Sequence, residues 1–223
     1  MNLDNFCTLI PLRGGSKGIP KKNIKSMAGK PLCYWAIKAS LDAGIKTFVS
    51  TDSEEIKNVV LSFSKDVTVI DRPEDLASDT ATTEAVIEHA FSLLDYENMI
   101  LMQATSPLTT SKDLLAAIEL YEKNERQPLV TGTKSHRFNW DLEGNALNYN
   151  PLKRPRRQDW DGFFQENGAF YIFTRDFFKK TGARCGPKCS LYIMEEQHAL
   201  EIDSLQDWEV MEMIAPRYLE NTV

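Results

Sequence analysis

The chain has 223 residues, of which 42% are hydrophobic and 26% are charged, a composition typical of a soluble globular protein. This length predicts a single domain over residues 1–223 with a substantial buried core. The net charge of −6 argues against nucleic acid as a partner, and the sequence has neither an apolar run long enough for a membrane span nor a secretory leader. Because the four cysteines do not have the spacing of a zinc site, we expect reduced thiols and a cytoplasmic protein.

Short apolar runs alternate with longer helical patterns along the first part of the chain. Strands are predicted at 6–12, 46–52, 66–70, 98–104 and 128–134. Helices are predicted at 30–44, 54–64, 82–94 and 111–125. This alternation predicts an α/β fold with a mainly parallel, doubly wound sheet and helices on both faces.

The pattern changes at about residue 135. The segment 135–165 contains turn signals and a basic cluster, and we expect it to form an extended arm inserted between sheet strands. A strand at 167–173, a short apolar run at 191–194 and a closing helix at 204–219 follow.

The first strand runs into a basic, glycine-rich loop, "IPLRGGSKGIPKKNI" (10–24). Glycines let backbone N–H groups approach a phosphate closely, and cations neutralise its charge. These two roles fall to Gly14, Gly15, Gly18, Arg13, Lys17 and Lys22. The loop lacks the ending of a P-loop and the second glycine of a dinucleotide fingerprint. It therefore favours a triphosphate, with a flexible basic surface loop as the alternative.

Two further polar segments follow predicted strands. In "RPEDLASDTATTEAV" (72–86), helix capping explains Thr82 and in part Asp79, whereas Arg72 has no capping role and could hydrogen-bond a base. In "QATSPLT" (103–109), Pro107 ends the strand and places Gln103 at the edge where ligands bind in open parallel sheets, although an ordinary strand exit explains it equally well.

Two late segments carry opposite charges. "KRPRRQDWDGFFQENGAFY" (153–171) contains arginines whose guanidinium groups match a carboxylate, with a solvated charged face as the alternative. In "ALEIDSLQDW" (199–208), Glu201 and Asp203 share one face of an extended segment and could hold Mg2+ bound to phosphate oxygens. Asp207 is expected to stabilise the start of the last helix.

These five segments, in this order, resemble the CMP-sialic acid synthetase family, the cytidylyltransferases that activate sialic acids and related nine-carbon keto sugar acids. The opening loop, "RPEDLASDTA", "QATSPL" and "NGAFYIF" look like the four signatures of that family, and the resemblance covers nearly the whole chain. Sister enzymes that act on the eight-carbon acid KDO open with a Ser-Thr-Arg-Leu-Pro-type loop and carry no "ATSPL" stretch.

The resemblance implies a Rossmann-like nucleotidyltransferase that transfers CMP from CTP to the 2-hydroxyl of the sugar acid and releases pyrophosphate. Its implied nucleotide-binding residues are Arg13, Gly14, Gly15, Ser16, Lys17, Lys22, Asn23, Arg72, Asp79 and Thr83. Its implied residues for the sugar acid are Gln103, Arg157, Gln158, Asn167 and Tyr171. Asp203, helped by Glu201, would hold Mg2+, and Arg13, Lys17 and Asp203 would be catalytic. The arm would cross to a second subunit, giving a homodimer whose sites both chains complete.

The sequence departs from the family at two positions. Glu201 stands where relatives often have aspartate, and Gln165 stands where some have arginine, which leaves the sugar acid open. A strong general base is not evident, so we favour metal-assisted deprotonation of the sugar hydroxyl. The alternatives are a KDO-type cytidylyltransferase, a nucleotide-binding module without turnover, and an NAD-dependent oxidoreductase on the same frame, which the broken glycine fingerprint disfavours.

Overall fold

The structure is a computed structural model that describes residues 2–16 and 18–219. Its strands are β1 (Phe6–Pro11), β2 (Ser26–Met27), β3 (Lys30–Pro31), β4 (Lys46–Thr51), β5 (Val67–Asp71), β6 (Asn98–Met102), β7 (Leu129–Ser135), β8 (Phe163–Thr174) and β9 (Ser190–Met194). Its α-helices are α1 (Leu32–Asp42), α2 (Glu54–Phe63), α3 (Thr83–Leu93), α4 (Ser111–Lys123), α5 (Arg175–Thr181) and α6 (Leu205–Leu219). Short 3-10 turns occupy Lys22–Ile24, Glu74–Ala77, Pro151–Lys153, Arg157–Asp159 and Glu196–Ala199.

The main sheet has seven strands in the order β5-β4-β1-β6-β8-β7-β9. The strand pairs β5·β4, β4·β1, β1·β6 and β7·β9 are parallel, whereas β8 runs antiparallel to both of its neighbours. The chain first builds outward from β1 to β4 and β5 and then returns to place β6 on the other side of β1. This reversal opens a crevice at the carboxyl ends of β1 and β6, the usual position of a ligand site in such sheets.

Helices cover both faces of the sheet, as predicted. Consecutive strand residues point to opposite faces, so Ile10 packs with α1, α2 and α4 while Leu9 packs on the side of α3 and α5. A third cluster joins α6 to the start of the chain, where Trp208 and Met211 pack with Ile19 and Met27. The loop after β1 is therefore anchored by the last helix.

The predicted elements are confirmed with small changes at their ends. The first predicted helix begins two residues later than expected, at Leu32, because Lys30–Pro31 pairs with Ser26–Met27 in a hairpin. The last predicted strand begins earlier than expected, at Phe163, because its extra residues pair with the end of β7. No element was predicted at α5.

The predicted arm lies between β7 and β8. Its aromatic side chains pack on one another: the Phe138 and Trp160 rings stack at 4.8 Å, and the Phe138 and Tyr149 centroids are 4.1 Å apart. The Arg154 guanidinium lies 4.3 Å from the Phe138 ring centroid. Leucines at 142 and 152 are almost fully exposed. The aromatic rings of the arm thus pack on one another, while other apolar side chains remain exposed on its outside.

Among the described residues, no helix is both long enough and apolar enough to cross a lipid bilayer.

Candidate functional site

A polar cavity of about 470 Å3 lies beyond the carboxyl ends of β1 and β6. It is lined by ten of the residues that the sequence singled out: Arg13, Ser16, Gly18, Lys22, Asn23, Arg72, Asp79, Thr83, Gln103 and Asp203. These residues come from the loop after β1, the loops after β5 and β6, the start of α3 and the segment before α6. The topology therefore brings four of the five predicted segments to one cavity.

Backbone and side-chain hydrogen bonds fix the loop after β1. The Leu12 N–H donates to the Ser50 carbonyl at 2.8 Å, and the buried Asn23 amide donates to the Arg13 carbonyl at 2.9 Å. The Gly14 N–H donates to the Asp52 carboxylate at 2.9 Å, so it does not face the cavity as the sequence led us to expect. Gly15 also lies outside the residues that line the cavity, and Ser16 and Gly18 line it instead.

Gly18 brings this loop against the acidic segment near the end of the chain. A Cβ atom added at Gly18 would lie 2.6 Å from the Asp203 carbonyl oxygen, closer than any side chain tolerates. Lys22 strengthens the same junction, because its ammonium donates to the Ile202 carbonyl at 2.8 Å and lies 3.5 Å from the Asp203 carboxylate. The Lys22 side chain is only 17% exposed, so part of its charge serves to hold the acidic segment.

The start of α3 and the loop after β5 form the opposite wall. The Arg72 side chain is buried and donates to the Ser50 hydroxyl at 3.0 Å and to the Ser50 carbonyl at 2.6 Å. Burial lowers the pKa of Arg72, with Asp52 acting in the opposite direction. Thr82 caps α3 by accepting from the Ala85 N–H, as predicted, and Thr83 is the first residue of the helix. The Arg72 guanidinium thus places a buried positive charge in this wall of the cavity.

Arg13 projects across the cavity to this wall. Its guanidinium lies 3.1 Å from the Asp79 carboxylate, and both side chains are partly exposed. The pair connects the first loop with the loop before α3. An exposed ion pair of this kind contributes little to stability, so an anionic ligand can compete for the arginine.

The two acidic residues differ in their surroundings. The Glu201 carboxylate accepts from the Thr105 hydroxyl at 3.2 Å, whereas the Asp203 side chain is 72% exposed and lines the cavity. Burial, followed by the negative charge of Asp203, raises the pKa of Glu201. A bound cation would relieve this unfavourable pairing of charges.

The donor set fits Mg2+. Among the described residues, no cluster of three or more His, Cys, Asp or Glu side chains could hold a metal on its own. Mg2+ is usually held by one or two carboxylates together with substrate phosphates and water. Asp203 offers one such carboxylate in the lining of the cavity, whereas Glu201, two residues earlier, lies outside that lining. Asp207 takes no part, because its carboxylate accepts from the Ser204 hydroxyl and N–H groups at the start of α6, as predicted. These bonds lower the pKa of Asp207, and the bond from the Ser204 hydroxyl has the largest effect.

The predicted residues for a sugar acid are dispersed. Gln103 lines the cavity, and its N–H donates to the Ala169 carbonyl at 2.9 Å. Asn167 is buried and donates to the His198 carbonyl, and Tyr171 is buried with its hydroxyl donating to Glu166, so neither side chain reaches the cavity. Gln158 is exposed in a 3-10 turn of the arm.

Arg157 lines a second cavity of about 580 Å3 between the arm, β7 and the segment after β9. Lys134, Arg137 and Gln165 lie in the same cavity. Met194 and Ala199 also line it, so the segment that carries Asp203 borders both cavities. Lys17 lies outside the described residues.

Sequence reasoning missed Asp52 and Thr105, which position Gly14 and Glu201. Asp52 is the last residue of a predicted strand and directly follows the observed β4, and Thr105 follows the strand predicted at 98–104, so their place at strand ends was the available signal. Asp52 stands in a run of polar residues that reads as a helix cap, and Ser53 is indeed the cap of α2. A residue that holds a loop through one backbone N–H leaves no pattern in a single sequence.

Comparison with known proteins gives the family. The sequence model of the cytidylyltransferase family matches residues 7–220. N-acylneuraminate cytidylyltransferase A from Danio rerio is 36% identical over an alignment of 224 positions that covers 96% of this chain and 51% of that protein. Pseudaminic acid cytidylyltransferase from Campylobacter jejuni is 30% identical over an alignment of 228 positions that covers 95% of this chain and 96% of that protein. The chain spans about half the length of the N-acylneuraminate cytidylyltransferases it matches.

Solved structures share the fold at low sequence identity. CMP:2-keto-3-deoxy-manno-octonic acid synthetase, solved with CTP, superposes with a TM-score of 0.70 at 14% identity and covers 97% of this chain and 100% of that one. The 2-C-methyl-D-erythritol 4-phosphate cytidylyltransferase from Thermus thermophilus gives a TM-score of 0.65 at 16% identity, over 94% of this chain and 98% of that one. With the family match over nearly its whole length, the chain belongs to the cytidylyltransferase family.

Proposed function

We propose that this protein transfers CMP from CTP to the 2-hydroxyl of a nine-carbon 2-keto-3-deoxy sugar acid and releases pyrophosphate. The observation that carries the proposal is the polar cavity that Arg13, Ser16, Gly18 and Asp203 line together at the carboxyl edge of the sheet. Relatives named for N-acylneuraminate and for pseudaminic acid support a nine-carbon acceptor.

In this proposal the two walls of the cavity divide the nucleotide between them. Arg72 and the start of α3 face the cytosine and ribose, where the buried guanidinium can donate to the polar edge of the base. Arg13 and Lys17 hold the triphosphate, and Arg13 exchanges Asp79 for a phosphate oxygen. Cations and N–H groups fixed before the reaction stabilise charge that develops on the phosphates.

Mg2+ would be held by Asp203 with Glu201, and when bound it would neutralise phosphate charge and make the sugar hydroxyl more acidic. The sugar 2-hydroxyl oxygen forms a bond to the α-phosphorus while the bond from that phosphorus to the pyrophosphate oxygen breaks, and the hydroxyl proton passes to solvent. The chain's own contribution is positioning and charge neutralisation, without a covalent enzyme intermediate.

The acceptor would lie between the two cavities. Gln103 borders the nucleotide, and Arg157 in the second cavity carries a guanidinium suited to the carboxylate of a sugar acid.

We further propose a cytoplasmic homodimer in which the arm of each subunit contributes to the site of the other. The exposed apolar side chains of the arm support this assembly, and the four cysteines, all free thiols, support a reducing compartment.

The test is incubation with CTP, Mg2+ and a panel of keto sugar acids, with pyrophosphate release as the measurement and EDTA as the control. Release with a nine-carbon acid, and little with the eight-carbon acid, is the expected result. Preference for the eight-carbon acid would assign the chain to the KDO type, whose synthetase shares the fold. Binding of CTP without turnover of any acid would favour a non-catalytic nucleotide-binding module.

A further inference from the structure

We propose that His198 is a positioning residue, which fixes the segment that carries Glu201 and Asp203 against the loop after β6. Its side chain is only 9% exposed and lies outside the residues that line the nucleotide cavity. This inference rests on the proposed function for its effect on the metal, but the contacts themselves are independent of that function.

Both ring nitrogens of His198 face backbone carbonyl oxygens. Nε2 lies 3.2 Å from the Leu108 carbonyl, in the loop after β6, and Nδ1 lies 3.2 Å from the Glu195 carbonyl in its own segment. The Asp113 carboxylate is 3.9 Å from Nε2. A carbonyl oxygen only accepts, so the neutral ring satisfies one of the two contacts and the protonated ring satisfies both.

The groups around His198 are themselves fixed. Asp113 forms the capping box of α4 with Thr110, and its other oxygen accepts from the Tyr192 hydroxyl of β9 at 3.2 Å. The His198 carbonyl accepts from the buried Asn167 amide of β8 at 2.9 Å. His198 therefore joins the loop after β6, the start of α4, β8 and the acidic segment.

The acidic segment is held to the same loop a second time. The Ile202 N–H donates to the Thr105 carbonyl at 3.1 Å, and the Thr105 hydroxyl donates to Glu201 at 3.2 Å. Thr105 and Leu108 belong to one short loop, so His198 and Thr105 clamp the segment at two points. Removing the ring leaves the Thr105 contacts as the direct link from this loop to the carboxylates.

The test compares His198→Ala and His198→Gln with a matched control, Gln197→Ala. Gln197 lies in the same 3-10 turn, and its side-chain amide donates to the Glu195 carboxylate just before that turn. The rate of amide hydrogen exchange in peptides covering 103–109 and 200–204 measures how firmly the two segments are held together. Electron paramagnetic resonance of Mn2+, titrated in the presence of CTP and without a sugar acid, measures the affinity for the metal independently of turnover.

His198→Ala should speed exchange in both peptides and weaken Mn2+ binding by about 10-fold, at the low end of the loss expected for an outer-shell partner. His198→Gln, which keeps one donor, should recover part of the loss, and Gln197→Ala should match the wild type. Wild-type Mn2+ affinity in His198→Ala, or an equal loss in Gln197→Ala, would overturn the proposal. If the wild type turns over no sugar acid, the proposed function fails while the exchange and Mn2+ data still decide the role of His198.

Discussion

Asp203 combines a fixed backbone with an exposed carboxylate. Gly18 packs against its carbonyl group, Lys22 approaches its side chain, and the carboxylate still faces the cavity. We expect Asp203→Asn to keep the fold and to reduce the proposed metal-dependent transfer by about 100-fold or more, because the substitution removes a charged oxygen from the proposed Mg2+ site. The measurement is pyrophosphate release against Mg2+ concentration. An unchanged metal titration would place the ligand elsewhere.

Gly18 is required by the close approach of two segments and not by a positive φ angle. The Cβ atom of Gly18→Ala would collide with the Asp203 carbonyl and push the loop away from the acidic segment. We expect turnover to fall by up to about 100-fold, since a displacement of this size misaligns reacting groups. Gly15→Ala is the comparison, because its Cβ would meet nothing within 4 Å, and it should cost much less. Equal losses in the two variants would contradict this reading of the junction.

Glu201 carries a cost for stability when no cation is bound. The pKa of Glu201 is raised in the folded state, so the folded state favours the protonated carboxyl. The resulting stabilisation is fully present below the ordinary pKa of about 4.3 and is lost as pH rises through the raised value. We expect Glu201→Gln without metal to be more stable than the wild type at pH 7, and this difference to vanish near pH 4. Urea unfolding at both pH values is the measurement. The exposed Glu212→Gln serves as control and should show no such pH-dependent gain.

At the scale of elements, α3 depends on its cap. Thr82 accepts from the Ala85 N–H, so Thr82→Ala should lower the free energy of unfolding by about 1 kcal/mol. Thr82→Ser should retain most of the stability because it keeps the hydroxyl. Chemical denaturation measures the effect, with the exposed Thr80→Ala in the preceding loop as the control. A loss in Thr80→Ala as large as in Thr82→Ala would argue against the cap.

The elements that sequence alone predicts are those with strong local signals. Short apolar runs locate β1, β4 and β6, because these strands are buried on both faces of the sheet. Capped helical patterns locate α3 and α4. The strand direction of β8 and the position of α5 depend on long-range packing, which no local pattern reveals. The same limit applies to the site: Arg13 and Asp203 stand in recognisable motifs, whereas Asp52 and His198 act through contacts to backbone groups of distant segments.

At the scale of the whole molecule, the arm determines the expected assembly. Leu142 and Leu152 are almost fully exposed, and such side chains are commonly covered by a second subunit. We expect light scattering to give twice the chain mass, and Leu142→Asp together with Leu152→Asp to give a monomer. Leu93→Asp, on α3 and also exposed, is the control and should remain a dimer. A wild-type monomer would refute the assembly.

The contact between Gly18 and Asp203 also has a consequence for biosynthesis. The turn after β1 is translated well before several of the groups that pack against it, the Asp203 backbone and the Trp208 and Met211 side chains near Ile19. The cavity beyond β1 is therefore closed only after residue 211 has been translated. Nascent chains stalled before residue 200 should lack a closed pocket even where their sheet strands have already paired.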